Sequence, residues 1–323
     1  MVQTPTAIVA GAAGLLGSAL CRYLLQQGVA VVAVDNFVTG SEHNLTALYN
    51  HPHFTHFRHD VCEPLGLLPL QNIRYVYHLA SPASPDDFDP LALEILAVNS
   101  QGTQNLLQVA REHGAKFLFA STSEVYGDPL EHPQKESYWG NVNPAGARSC
   151  YDEGKRFGEA LTTHFCRLHQ TDYVIARIFN TYGPRMRIND GRVVPAFFEA
   201  LIENRPMLLH GDGQQTRSFC YVDDLVRGLC LLMTSKQTSG EIFNLGNPQE
   251  YTIETLAKTL WEVAGKPPQL EMIPSPREDD PTRRRPDISK IQSVIGWEPE
   301  ISLREGLEKT LSYFQERLKR GTS

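Results

Sequence analysis

The 323-residue chain is short of several things that would place it in other classes. It has six cysteines and no C-x-x-C pair, so neither a disulfide framework nor a zinc-type ligand set is indicated, and the thiols read as reduced residues of a cytoplasmic protein. It lacks a basic excess: 30 Lys and Arg stand against 37 Asp and Glu, a formal charge of −7. Phosphate backbones reward clustered cations, so no nucleic-acid partner is expected. A credible membrane segment is also missing. Residues 1–21, MVQTPTAIVAGAAGLLGSALC, carry no charge, but glycines at 11, 14 and 17 interrupt them and no basic stretch opens them as in a signal peptide. Low-complexity tracts, internal repeats and long linkers are absent too. What remains, 41% hydrophobic and 21% charged, is an ordinary globular chain suited to a small-molecule role.

The uncharged opening reads better as a strand, TAIVA, a turn, GAAGLLG, and a helix, LLGSALCRYLLQQG. Glycines at 11, 14 and 17, after a strand and opening a helix, form a dinucleotide-binding turn whose backbone N–H groups can approach a pyrophosphate. The next strand, VAVVAVD, ends on Asp35, where a carboxylate can bond both hydroxyls of an adenosine ribose and disfavours a 2′-phosphate. NAD is therefore preferred to NADP. Further apolar runs, RYVYHLA, KFLFAST and DYVIARI, alternate with helical stretches, of which residues 93–114 are expected to form one continuous helix.

This alternation predicts an α/β fold, a Rossmann-type doubly wound parallel sheet with a smaller, mostly C-terminal α/β substrate lobe. Residues 1–180 would form the NAD-binding domain, with 218–246 threaded back into it because EIFNLG reads as one more strand; 181–217 and 247–323 would form the lobe. Helices are expected at about 192–204, 223–233, 253–264 and 302–318, the last opened by a Ser302/Glu305 capping box.

Strand C-terminal ends face the ligand in such sheets, which puts Thr122, Ser123 and Glu124 on the rim of a site. Tyr151 and Lys155, four apart on a predicted helix, share one face, and an ammonium beside a phenol favours the phenolate needed for a base. The run HPHFTHFRHD holds His51, His53, His56 and His59, but its alternation with Phe54 and Phe57 reads as a half-exposed strand and no metal is expected. RRRPD is not taken as a basic interaction patch, because REDDP beside it neutralises the charge.

Taken together, GAAGLLG, HLASPAS, STSEVYGDP, CYDEGK, ARIFNTYGPRM, NDGRVV, QTRSFCYVDDL, NLGNP and DDPTRRRPD resemble the extended short-chain dehydrogenase/reductase superfamily. Within it the chain is most similar to the UDP-glucuronate decarboxylase (UDP-xylose synthase) family, from about residue 6 to 318. The resemblance implies catalytic roles for Thr122, Ser123, Glu124, Tyr151, Lys155 and Arg284. Tyr151 would take the proton of a sugar 4-hydroxyl while C4 gives hydride to NAD; the resulting 4-keto acid would lose CO2, and Glu124 and Arg284 would flank C5 and the carboxylate.

The same resemblance implies NAD contacts from the turn (Gly11, Gly14, Leu15, Leu16, Gly17), from the end of the second strand (Asp35, Asn36, Phe37, Thr39, Gly40) and from Asp60 and Val61 near the adenine. Leu79, Ala80, Ser81 and Ala120 would complete that set with Tyr151 and Lys155. Substrate contacts would come from Pro82, Glu124, Tyr151, Asn180, Arg192, Val194, Phe198, His210, Arg217 and Arg284. A homodimer through a four-helix bundle, built on 98–112 and 151–168, is implied as well. Ser123 stands where related 4,6-dehydratases carry an acid to protonate a departing hydroxyl, and 4-epimerases usually lack the Glu. Ala97 stands where the family commonly has a Lys near the substrate, which leaves a 4-epimerase open as the alternative, with a dehydratase or a non-catalytic NAD sensor further behind.

Overall fold

A computed structural model describes residues 4–67, 70–187, 191–274 and 283–319. The neighbouring REDDP segment (277–281), and Asn189 and Asp190 of NDGRVV, lie outside the described residues.

Runs that are apolar at nearly every position need cover on two faces, and the strands of a central sheet receive it. In chain order the first six are β1 (Thr6–Ala10), β2 (Ala30–Asp35), β3 (Phe54–Arg58), β4 (Ile73–His78), β5 (Lys116–Thr122) and β6 (Tyr173–Ile178). Then follow β7 (Thr181–Tyr182), β8 (Met207–His210), β9 (Thr216–Ser218), β10 (Cys220–Tyr221), β11 (Glu241–Leu245), β12 (Glu250–Thr252), β13 (Leu270–Ile273) and β14 (Arg283–Arg284). The main sheet has seven strands in the order β11-β6-β5-β4-β1-β2-β3, every described pairing parallel.

Helices α1 (Leu15–Gln26) and α6 (Val222–Thr234) pack together on one face of the sheet, and α3 (Thr103–His113) and α4 (Ser149–His169) on the other, preceded by the short α2 (Ala92–Ala97). Outside the main sheet stand α5 (Val193–Ile202), α7 (Ile253–Val263), α9 (Leu303–Lys319) and small sheets, β12-β9-β14 and β13-β8, while α8 (Ser289–Ile295) packs on β11. The chain runs outward from β1 to β3 and then returns to β4 on the other side of β1. That reversal leaves a crevice above Ala10 and His78, which pair in register.

The expected continuous helix over 93–114 is interrupted by a π turn at Val98–Gly102. Polar side chains compete there with the helical ladder. Asn99 Nδ2 donates to Ile95 O (2.8 Å), Ser100 Oγ to Leu96 O (2.6 Å) and Thr103 Oγ1 to Asn99 O (2.9 Å). Among the described residues no helix is long and apolar enough to cross a membrane.

Candidate active site

The first glycines shape the floor of a cleft of about 1530 Å³ that opens over the crevice. Gly11 has φ +80°, and a Cβ on it would lie 2.7 Å from the backbone of Leu79 and Ala80. A Cβ on Gly17 would lie 2.0 Å from Gly11 O. Only glycine lets α1 start this close to the end of β1. Gly14 caps α1 without a side-chain hydrogen bond and no acid sits in the first turn, so that helix end presents bare N–H groups to the cleft.

At the end of β2 the Asp35 carboxylate is buried, and burial raises its pKa against the pull of two backbone hydrogen bonds. Ala13 N donates to Oδ2 and Phe37 N to Oδ1, each at 2.8 Å. Asp35 thus ties the glycine turn to β2, and each oxygen keeps a second lone pair for a ribose hydroxyl. Asn36 Nδ2 donates to Asp60 Oδ2 at 3.0 Å, and Phe37, at φ +63°, lies edge-on to His56. Val61 and Ala80 are core-facing, with Val61 packed under Gly102. Leu15, Leu16, Thr39, Gly40, Leu79, Ser81 and Ala120 line the cleft; Asp35, Asn36, Phe37, Asp60, Val61 and Ala80 are not among its lining residues.

The polar row after β5 has a definite local cause. Thr122 caps a 3-10 turn (Ser123–Tyr126) by accepting from Glu124 N at 3.3 Å. The turn closes at Gly127, φ +63°, where a Cβ would lie 1.9 Å from Asn141 O. Thr122, Ser123 and Glu124 all line the cleft.

Two guanidinium groups hold Glu124: Arg284 Nη1 donates to Oε1, and Arg148 Nη2 to Oε2 at 2.5 Å. Burial would raise the Glu124 pKa, but Arg284, Arg148 and Arg217 together hold it below the ordinary value. Arg284 Nη2 also donates to Gly127 O (2.8 Å), and its backbone pairs in register with Arg217 of β9. Like charges abreast repel unless an anion serves both, and Glu124 lies beside them.

Fully buried Gln134 anchors the Arg284 segment from the nucleotide domain. Its Oε1 accepts from Arg285 N (2.9 Å) and its carbonyl from Asp287 N (2.8 Å). Of the three consecutive arginines, Arg283 is exposed and Arg285 faces Glu250 at 3.8 Å.

Tyr151 and Lys155 lie on the cleft face of α4. Burial raises the Tyr151 pKa well above its usual value; a hydrogen bond with Thr122 and the Arg192 charge oppose this, while Glu124 and Asp152 add to it. Burial also pushes Lys155 down to about 7; its Nζ donates to Ala120 O at 2.8 Å and lies 5.8 Å from the Tyr151 ring centre. Phe88 stacks on Tyr151 at 5.0 Å and 17°.

Asn180, Arg192, Val194, His210, Arg217 and Arg284 line the other wall. Two expected contacts do not. Phe198 is wholly buried against Phe314, because its neighbour Phe197 takes the cleft side of α5, and Pro82 lies outside the lining formed by Ser81 and Ala83. Ala97, the last residue of α2, is not among the residues lining the cleft, whereas Arg192, Arg217 and Arg284 are. Sequence reasoning missed Arg148, Phe88 and Gln134. Arg148, one helical turn before Tyr151 in RSCYDEGK, carried a signal in its spacing; Gln134 carried none. Among the described residues no group of three or more His, Cys, Asp or Glu converges as a metal site.

The family model for the NAD dependent epimerase/dehydratase family matches residues 7–246. The chain belongs to this family. Its cofactor is NAD, and the two close-packed glycines, the bare start of α1 and Asp35 at the end of β2 fit that dinucleotide. The chain is 50% identical to UDP-glucuronic acid decarboxylase 1 of Arabidopsis thaliana, over 96% of this chain and 70% of that protein. It is 45% identical to UDP-glucuronic acid decarboxylase 1 of Xenopus tropicalis, over 96% and 72%. Among solved structures, UDP-glucuronic acid 4-epimerase from Bacillus cereus, in complex with UDP-glucuronic acid and NAD, matches with a TM-score of 0.86 and 30% identity, over 96% of this chain and 99% of that one.

Proposed function

We propose that the chain decarboxylates UDP-glucuronate to UDP-xylose through a 4-keto intermediate. The relatives named as UDP-glucuronic acid decarboxylases support this. The observation that carries it is the charged Glu124, bound by two arginines beside Ser123 and facing the same cleft as Tyr151.

Tyr151 accepts the proton of the sugar 4-hydroxyl, with Thr122 as its hydrogen-bond partner and Lys155 Nζ 5.8 Å from its ring centre. NAD, when bound, supplies the reversible hydride acceptor for C4. A C4 ketone places the substrate carboxylate β to a carbonyl, so the C5–C6 electron pair can pass into an enolate as CO2 leaves. Tyr151, now protonated, donates to the enolate oxygen; the enolate takes a proton from water at C5, and C4 then regains its hydride as Tyr151 gives its proton to O4, which yields UDP-xylose. Arginines 284 and 148 hold the carboxylate region with Glu124. Ser123 cannot protonate a departing 6-hydroxyl, which argues against dehydration.

The test is the mass of the products from UDP-glucuronate, UDP-galacturonate and dTDP-glucose. Only UDP-glucuronate should lose CO2, and dTDP-glucose should not lose water. A product of unchanged mass, epimeric at C4, would replace this reading with the epimerase one that the likeness to the Bacillus cereus structure favours.

A homodimer belongs to the same proposal. Leu93 (76% exposed) and Leu96 of α2, and Phe157 (53%) and Leu168 (77%) of α4, are exposed apolar side chains. The apolar side chains of α3 within the expected 98–112 are buried against the sheet, so we infer that α2 would take part in the pairing with α4. A monomer in sedimentation at micromolar concentration would count against it. The six unpaired thiols support a reducing cytoplasmic setting.

A further inference from the structure

We propose that Arg148 is a positioning residue for this reaction, fixing Glu124 as a permanently ionised carboxylate that orients the substrate and does not protonate it. The inference rests on the decarboxylase reading and adds a role to it. Arg284 alone would hold one carboxylate oxygen and leave the group free to turn about its last torsion. The second guanidinium, from the other side of the site, takes the second oxygen and sets the plane of the carboxylate.

Arg148 is itself braced. Its guanidinium lies over the Phe88 ring at 5.5 Å, and that ring stacks on Tyr151. Its Nε lies 4.0 Å from Asp152 Oδ2. One side chain therefore connects Glu124 with the aromatic backing of the catalytic phenol. Two guanidiniums on one carboxylate leave a surplus positive charge, which a single substrate carboxylate complements. Glu124 is faced by Arg148 just before α4, by Tyr151 and Asp152 of α4, by Arg284 of β14, by Arg217 of β9 and by Ser123 of its own turn. Two cations in direct contact, and a third nearby, keep it charged throughout turnover.

The test is the pH dependence of kcat/KM for CO2 release from UDP-glucuronate, in the NAD-loaded protein and in Arg148→Met and Arg148→Gln. Losing a contacting cation raises a carboxyl pKa, so activity that needs ionised Glu124 should fail at higher pH as the medium is acidified. The acid limb of both variants should move up by about one pH unit, with kcat at neutral pH down about tenfold and NAD affinity unchanged. Arg148→Gln keeps length and a donor, and covers the case in which the Met variant does not fold. Limbs that overlay the unsubstituted protein's, whatever the loss of rate, would reduce Arg148 to structural support. No CO2 release from the unsubstituted protein would remove the decarboxylase reading, and this role with it.

Discussion

On the cofactor side of the cleft the chain offers mostly backbone: Gly11 and Gly17 in close approach, the bare first turn of α1, and Asp35 already tied to two N–H groups. On the sugar side it offers charged side chains, with Glu124 held by Arg148 and Arg284 and with Arg192 and Arg217 nearby. The first wall is made by residues close in sequence and owes its shape to sterics. The second is assembled from distant segments and depends on ion pairs, which are weakened by pH and by the loss of either partner. Tyr151 and Lys155 sit where the two walls meet.

The largest effect is expected at that seam. Tyr151→Phe should lower turnover by about 10²–10⁴-fold while NAD and UDP binding persist, since only the proton acceptor is removed. Steady-state rates with binding titrations check this, and retention of more than a few per cent of activity would contradict the assignment.

On the sugar side, Arg284→Met should destabilise the fold by about 1.5–3 kcal/mol, because Glu124 loses one charge-assisted partner while Arg148 still holds it. It should also weaken UDP-glucuronate binding and leave NAD affinity intact. Gly17→Ala should do the reverse: about 1–3 kcal/mol from forcing a methyl group against Gly11 O, with NAD affinity lost first. Denaturant melts and separate titrations of the two ligands would break the comparison if both variants lost both ligands equally.

The smallest effect concerns Asp152. Burial, then the Glu124 charge, raises its pKa from 3.8 to about 7, against the pull of Arg148. Between those values the folded protein holds a proton that the unfolded chain has released. The stability Asp152 contributes is thus complete below the lower value and is lost as pH rises toward the upper one. Asp152→Asn should flatten that part of the stability profile, a difference of a few degrees in Tm at most, read from melts at a series of pH values. An unchanged slope would show that Asp152 is ionised in both states.

This contrast also decides what could be read from the sequence. The seven-stranded parallel sheet follows from short apolar runs alternating with helices, and the glycine turn with Asp35 is a local pattern whose geometry is fixed within a few residues. Tyr151 and Lys155 share a helix face, so their spacing was informative. The grip on Glu124 was not legible as a contact. Arg284 lies 160 residues away in sequence, and its register depends on Gln134, which carries no chemical signal of its own. Which of the adjacent Phe197 and Phe198 lines the cleft is not legible in the sequence, because it depends on the packing of Phe198 on Phe314. The π turn after Ala97 arose from side chains bonding back to the previous turn, an effect that hydrophobic periodicity does not record.

The most direct test of the central claim, that the arginine-bound Glu124 wall serves chemistry at C5, is turnover of UDP-glucuronate in deuterated water followed by mass and NMR analysis of the sugar. The expected product is a pentose that has lost CO2, carries a solvent deuterium at C5 where the enolate is reprotonated, and keeps the substrate's own hydrogen at C4. A hexuronate of unchanged mass, inverted at C4 and free of deuterium at C5, would contradict it.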